Sequence, residues 1–503
     1  MYRFVLEISS VVKQWSIARF MLLFFLLNMA VKGWFIGQNS LAGDEPFSVY
    51  HAQMDVESII RLLSSGNNPP LFEVLLHFWI NVFGISEISV RMPSLLFSSV
   101  TVVYLFLMAA TYLDRKSAIA VALIFIFSNY HIGLTHEARV YSLLGMLTVI
   151  SINTYLTIVT SAINGKSLDG YGHFFALGII NSLAIYAHYF GFIIIIIQGC
   201  FALINFRVLK QYHRGILVTI ATLLVAYAPN VSVVFQRFSE SSSGTWIPAP
   251  TGLDSLYFMF VSMCNAPVTA VFIIMLIMAS GCWRIRLKSR AELTQKSMFN
   301  IFISSWFVVV FFGMFLVSFK TPVFFDRYLM VATVVFPLII GIAISSGSFN
   351  SRLQPWITLV TALLFVVTAN PALSNNRPIK AVVEQIKIKK TEHTVVFICP
   401  DWLDLNLIYY YDPACFKNFD TQDIKRKIRE TLINDNVFPI TNHRELSIGL
   451  RDTTNHILFL DDASNVHYPN NKLEEKLKDH GEIVGEHNFN KGLRLLELRN
   501  NKN

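Results

Sequence analysis

Apolar residues run in long blocks along the first 370 residues, at about 17–37, 92–113, 117–134, 140–162, 173–189, 190–206, 215–236, 255–282, 298–319, 328–346 and 354–370. About 20 apolar residues carry a helix across a bilayer core. The pattern predicts about eleven membrane-spanning helices. The 173–206 stretch is too long for one helix, and Tyr189-Phe190-Gly191 marks its reversal. Pro69 to Gly84 is apolar but short. It carries Glu73, His77 and Asn81 at every fourth position, one polar stripe on a helix. That pattern predicts a helix lying in the membrane interface, not a span. Segment 45–63 is expected to be another, with Phe47, Tyr50, Met54 and Ile59 on one face.

After Asn370 the pattern changes. Residues 371–503 are polar, with strand-like runs starting at Thr394, His456 and Leu493 and helical stretches near 378–390 and 420–434. Strands alternating with helices predict a small α/β domain. The expected organisation is therefore a transmembrane module over 1–370 and an extracytoplasmic α/β domain over 371–503. No Gly-rich phosphate loop is present, which argues against a nucleotide site.

Composition agrees. Of 503 residues, 53% are hydrophobic and only 15% charged, where a soluble domain carries about a quarter. Mean hydropathy is +0.50. The formal charge of +8 does not point to nucleic acid, because the basic residues sit in short loops between apolar blocks, where they set orientation. With 70–83 interfacial and the N-terminus cytoplasmic, Arg115-Lys116, Arg207/Lys210/Arg214, Arg284 to Arg290 and Arg352 all fall inside. Residues 38–91, 135–139, 237–254, 320–327 and the C-terminal domain then fall outside, in a multi-pass plasma-membrane protein. The first apolar block has no small-residue cleavage site and is expected to be a retained span. Of five cysteines, Cys200 and Cys282 lie in apolar runs and read as packing residues. Cys399 and Cys415 share the C-terminal region, where an extracytoplasmic setting would permit a disulfide.

The polar clusters fall on the external side. Asp44-Glu45 follows the first span; the pair reads either as a solvated turn or as a general base, a metal ligand, or both. His136-Glu137-Ala-Arg139-Val-Tyr141 crowds a later loop, as a salt-bridged helix start or as an acid–cation group facing a cavity. Asp326-Arg327-Tyr328 offers a planar guanidinium for phosphate, or an interfacial anchor. His188 and Tyr189 end another span, and Trp246 reads as an interface anchor. A transporter would instead concentrate charges near the bilayer midplane.

These motifs, in order, resemble the GT-C superfamily of polyprenyl-phosphate-dependent glycosyltransferases, in the branch of protein O-mannosyltransferases and lipid A aminoarabinose transferases. The resemblance rests on Gly43-Asp-Glu-Pro-Phe, Asn68-Pro-Pro-Leu-Phe, Phe83 to Ser94, and His136-Glu-Ala-Arg-Val-Tyr141. Tyr186-Ala-His-Tyr189 and Asp326-Arg-Tyr-Leu329 match more weakly, and Leu407-Ile-Tyr-Tyr-Tyr411 has the flavour of the external domain some members carry. His136 stands where Gln is usual, and Asn68 where some members have a basic residue. The resemblance implies inverting sugar transfer from a polyprenyl-phosphate donor to a lipid, glycan or protein acceptor on the extracytoplasmic face. It implies Asp44 as general base supported by Glu45 and Glu137, with or without a divalent cation (Mg, Mn or Zn) held by Asp44 and Glu137. Arg139, Arg327 and Tyr328 would hold the donor phosphate, and His136, Tyr141, His188 and Tyr189 would line the substrate site. A polysaccharide polymerase or ligase, or a lipid-linked sugar flippase, stands as the alternative.

Overall fold

Helices occupy all eleven apolar blocks, but not all of them as single rods. In this computed structural model the described residues are 15–64, 69–241, 247–281, 294–346, 349–350, 352–373, 377–417, 424–450, 455–490 and 492–500. Trp246, Asn68, Cys282 and the Arg284 to Arg290 cluster lie outside them. The chain divides into two compact units. One comprises Met1–Phe35, Ile60–Leu75 and Arg91–Ser374; the other comprises Ile36–Ile59, Leu76–Val90 and Asn375–Asn503.

Among the described residues of the first unit, four helices are long and apolar enough to cross a membrane unaided: Glu87–Tyr112, Tyr141–Ile163, Phe206–Gln236 and Gln295–Val317. Three further spans are bent pairs. Arg115–Ile126 and Asn129–Thr135 meet at 55°, Asp326–Thr333 and Phe336–Ile344 at 40°, and Leu253–Met263 and Pro267–Ser280 at 95°. The last pair corrects the expectation of a single span over 255–282. Asn265 there adopts a left-handed backbone (φ 66°), and Pro267 opens the second helix, lacking the N–H that would continue the first.

Two asparagines fill these breaks. The Asn265 Nδ2 donates to the Phe127 carbonyl at 2.7 Å, and its Oδ1 accepts from the Asn129 N–H at 2.7 Å. The Asn129 side chain donates to the Thr368 carbonyl at 3.0 Å and accepts from the Asn370 N–H at 2.6 Å. Peptide groups freed inside an apolar medium must find partners, and side-chain amides supply both a donor and an acceptor.

The reversal expected at Tyr189-Phe190-Gly191 is present. One helix runs Gly172–Ala187 and the next Gly191–Ile204, with the Gly191 N–H on the His188 carbonyl at 2.8 Å. The turn is tight because residue 191 has no side chain. A Cβ there would lie 2.5 Å from the Ala184 carbonyl oxygen.

The predicted 45–63 helix, which begins in the second unit, is two, Glu45–His51 and Val56–Ser64. Asp55 interrupts it by accepting the Ser58 N–H at 2.9 Å, an N-cap that starts a new helix. The interfacial prediction over 70–83 gives a helix over Leu71–Phe83. On its stripe, Asn81 Nδ2 donates to His77 Nε2 at 3.1 Å, and His77 Nδ1 to the Ala52 carbonyl at 2.9 Å.

The C-terminal part of this unit holds a five-stranded sheet: β1 Thr394–Cys399, β2 Val437–Pro439, β3 His456–Asp462, β4 Gly481–Asn488 and β5 Leu493–Asn500. The order is β2-β1-β3-β5-β4, with β1 parallel to both neighbours and β5 antiparallel to β3 and β4. Every residue of β1 is buried, as expected of a central parallel strand. The helices Ile379–Lys389 and Ile424–Asn434 fall where the sequence places them. Cys399 and Cys415 are both free thiols, so the permitted disulfide is not formed. The Cys415 Sγ lies instead 3.2 Å from Thr431 Oγ1.

Gly191→Ala is expected to lower the thermal unfolding temperature in detergent, because the added methyl meets backbone that cannot swing aside. A cost of about 1–3 kcal/mol is typical of such overpacking. Gly199→Ala, whose Cβ would meet nothing within 4 Å, is the control and should leave the transition unchanged.

Candidate functional site

The loop between Thr135 and Tyr141 is set by the short helix Asn129–Thr135. Three consecutive residues pin that helix. Asn129 joins the two breaks described above, the Tyr130 hydroxyl donates to the Asp326 carbonyl, and His131 Nε2 lies 3.3 Å from the Thr333 carbonyl. The loop that carries His136, Glu137 and Arg139 is thereby fixed against the segment that carries Arg327 and Tyr328.

His136 is buried, and its Nε2 hydrogen donates to the Lys32 carbonyl at 2.6 Å. Burial, with the charges of Arg91 and Lys32 adding to it, pushes its pKa down to about 4, against the raising effect of that hydrogen bond. The ring is therefore neutral at physiological pH, with Nδ1 as its acceptor. The Glu137 main-chain carbonyl accepts from Ser94 Oγ at 2.8 Å. Arg139 is buried and paired with Glu73 at 3.7 Å, both side chains about 5% exposed or less. Two charges out of water hold only as a pair.

Around them the aromatic groups converge. The Arg327 guanidinium lies 5.7 Å from the Tyr141 ring centre and 5.4 Å from Phe325. Tyr141 and His188 rings are 6.3 Å apart, and His188 and Tyr328 5.6 Å. Phe190 packs on both His188 and Tyr328, at 4.9 and 5.2 Å. Tyr189, half-buried, sits in the turn between them. Four residues singled out from sequence (Tyr141, His188, Arg327 and Tyr328) thus form one contact cluster within the first unit, with Arg139 two positions before Tyr141 in the same loop. An aromatic floor and guanidinium groups can hold a ring-shaped polyol and an anionic oxygen together.

Asp44 and Glu45 belong to the second unit. Asp44 is exposed, between the left-handed Gly43 (φ 61°) and the first turn of the Glu45–His51 helix. Glu45 is buried, and its Oε2 accepts the Ala42 N–H at 3.3 Å. The segment is held by the Tyr409–Tyr410 pair: Tyr410 Oη accepts the Leu41 N–H at 2.7 Å and donates to Glu87 at 3.2 Å, and Tyr409 Oη donates to the Ile85 carbonyl.

Residues 67–232 match the family model of the dolichyl-phosphate-mannose-protein mannosyltransferases. Among solved structures, ArnT from Cupriavidus metallidurans in its apo state superposes with a TM-score of 0.58 at 12% identity, over 96% of this chain and 98% of that one. The same protein bound to undecaprenyl phosphate gives 0.57 at 12% identity and the same coverage. The archaeal oligosaccharyltransferase AglB from Archaeoglobus fulgidus, in complex with an inhibitory peptide and a dolichol-phosphate, gives 0.52 at 10% identity, over 93% of this chain and 73% of that one. The fold is that of the GT-C glycosyltransferases. The chain shares this fold, its apolar helices are those of a multi-pass membrane protein, and residues 67–232 add the match to the mannosyltransferase model. No curated protein sequence matches it significantly.

Sequence reasoning missed three groups. Glu73 was read as a member of a polar stripe, but it is buried and answers Arg139. Lys32, fully buried in the first apolar helix, donates to Ser98 Oγ at 3.0 Å and lies over the Phe125 ring at 4.0 Å. A lysine inside an apolar helix was the available signal. Phe190 looked like one more apolar residue. Among the described residues, no group of three or more His, Cys, Asp or Glu side chains is gathered to hold a metal ion.

Glu73→Gln is expected to destabilise the protein by about 3 kcal/mol, by leaving the Arg139 charge buried without its counter-ion. Glu73→Gln combined with Arg139→Met should recover much of that loss in thermal unfolding; an additive double variant would refute the pairing. His136 supplies a second test. An unfolded histidine titrates near 6.5, so below that pH the unfolded state binds a proton the folded state refuses. Stability is then fully present above pH about 6.5 and lost as pH falls towards 4. His136→Gln can still donate to the Lys32 carbonyl, and should flatten that part of the unfolding temperature against pH.

Proposed function

We propose that this glycosyltransferase moves a sugar from a polyprenyl-phosphate donor to an envelope acceptor on the extracytoplasmic face, with inversion at the anomeric carbon. Asp44 takes the proton of the acceptor hydroxyl. The acceptor oxygen bonds to the anomeric carbon as the bond from that carbon to the phosphate oxygen breaks, and the electron pair leaves with the lipid phosphate. Glu45 and Glu137 support the base. Arg327 and Arg139 meet the negative charge that grows on the departing phosphate, where fixed cations stabilise the transition state most. Tyr328, Tyr141, His188, Tyr189 and His136 line the sugar's position. No step runs through a metal ion.

The observation that carries this reading is the basin of Arg327, Tyr141, His188 and Tyr328. It joins a guanidinium suited to phosphate with aromatic faces suited to a sugar ring. The donor class is supported by the solved relatives of the same fold that hold undecaprenyl phosphate and dolichol-phosphate. The extracytoplasmic face is supported by the distribution of basic residues between spans.

Asp44→Asn is expected to cut transfer in proteoliposomes by about a hundredfold or more, the scale of general-base catalysis, while lipid-linked donor remains bound. Unchanged turnover would remove Asp44 from the mechanism. Movement of donor across the bilayer without bond formation in the unaltered protein would favour a flippase. Extension of a growing glycan chain would identify a polymerase.

A further inference from the structure

The Tyr141–Ile163 helix begins in the candidate site and ends at a cavity of about 670 Å³. Its 23 residues, at ~1.5 Å per residue, separate the two by roughly 34 Å, the thickness of a bilayer core. The cavity therefore opens on the membrane face opposite Tyr141, Arg139 and Arg327.

Its wall is mixed. Ile163 and Val208 supply apolar surface, Arg207 and Lys210 supply cations and His213 an imidazole, with no carboxylate lining it. Among the described residues, neither Arg207 nor Lys210 is ion-paired, and both are exposed. The floor is fixed independently of them. Gln211 Nε2 donates to the Ala162 and Val208 carbonyls at 2.8 and 3.0 Å, and the Tyr212 hydroxyl donates to the Lys166 carbonyl. Beside the cations the surface is strongly apolar: Leu203, Ile204 and Phe206 are 75%, 66% and 58% exposed. The Phe206–Gln236 span that follows is only 11% buried within the protein, so it faces lipid.

Basic residues flanking a span need do no more than orient it. A built cavity, with a fixed floor and an apolar rim continuous with a lipid-facing helix, asks for an amphiphile whose head is an anion. We propose that this cavity binds the phosphate headgroup of an anionic membrane lipid, with Arg207 and Lys210 on the phosphate and Leu203, Ile204 and Phe206 along its chains. Basic pockets between helices on the cytoplasmic side commonly take such headgroups.

The test uses the full chain in nanodiscs of phosphatidylcholine with or without phosphatidylglycerol, with retained lipid counted by native mass spectrometry. Phosphatidylglycerol should be retained over phosphatidylcholine. Arg207→Gln/Lys210→Gln should lower that retention by about 25-fold, the product of two cations each worth about fivefold. Lys116→Gln/Arg352→Gln, with the same loss of charge elsewhere, should leave it unchanged. His213→Glu, which puts a carboxylate in the cavity, is the second variant should the first not fold. Equal loss in the control, or none in either cavity variant, would overturn the proposal. So would displacement of the lipid by millimolar inorganic phosphate, which would assign the cavity to a soluble anion.

Discussion

A helix broken inside an apolar medium leaves peptide N–H and carbonyl groups that water cannot reach, and each costs several kcal/mol unless something answers it. This structure breaks three apolar segments, and Asn129 and Asn265 answer two of the breaks at once. Each uses both ends of its amide, so four strained positions (Phe127, Asn129, Thr368 and Asn370) become one hydrogen-bonded junction. The short helix released by that junction is what delivers His136, Glu137 and Arg139 to the basin. Without the breaks, the segment would run on as a straight span and its polar end would lie elsewhere.

The basin itself is dominated by desolvation. Arg139, Glu73, Arg91, Lys32 and His136 are all buried. Burial of a charge is tolerable only when a counter-charge, a hydrogen bond or an aromatic face stands close. The protein uses each device: Glu73 for Arg139, Ser98 and the Phe125 ring for Lys32, and neutrality for His136. The consequence is electrostatic. Fixed charges in a poorly screened setting act over longer distances than they would in water.

Much of this fold was legible in the sequence, and the failures share a cause. Apolar block length placed the helices, because a bilayer selects for length and hydropathy with little else. Short apolar runs placed β1, β3 and β5, whose residues are largely buried. They did not reveal β2, only three residues long, or β4, which is largely exposed and bulged between Ile483 and Gly485. Hydropathy is blind to the 95° bend at Asn265 because the residues on both sides are apolar; only the Asn-Ala-Pro267 sequence marked it. The site was legible as motifs, since Arg139, Tyr141, His188, Arg327 and Tyr328 were all singled out. What the motifs could not give was pairing. Glu73 and Arg139 lie 66 positions apart along the chain, and no local pattern states which carboxylate meets which guanidinium.

The same reasoning explains how a fold persists at 12% identity over 96% of the chain. Lipid-facing positions are constrained only to be apolar, so their identities drift freely; Leu203, Leu217, Leu224 and Val225 are each more than 60% exposed and interchangeable in kind. Constraint concentrates where the backbone departs from a helix or a charge leaves water. Those positions are few here: the two bridging asparagines, Gly191 with no room for a methyl, and the buried pair of Glu73 and Arg139. Asn129 and Asn265 hold the helix that leads into the loop after Thr135, Glu73 meets Arg139 within that loop, and Gly191 closes the turn that carries His188. The arrangement of Tyr141, His188, Arg327 and Tyr328 is therefore tied to residues outside that cluster, and a substitution that loosens a helix break should disturb the cluster with it.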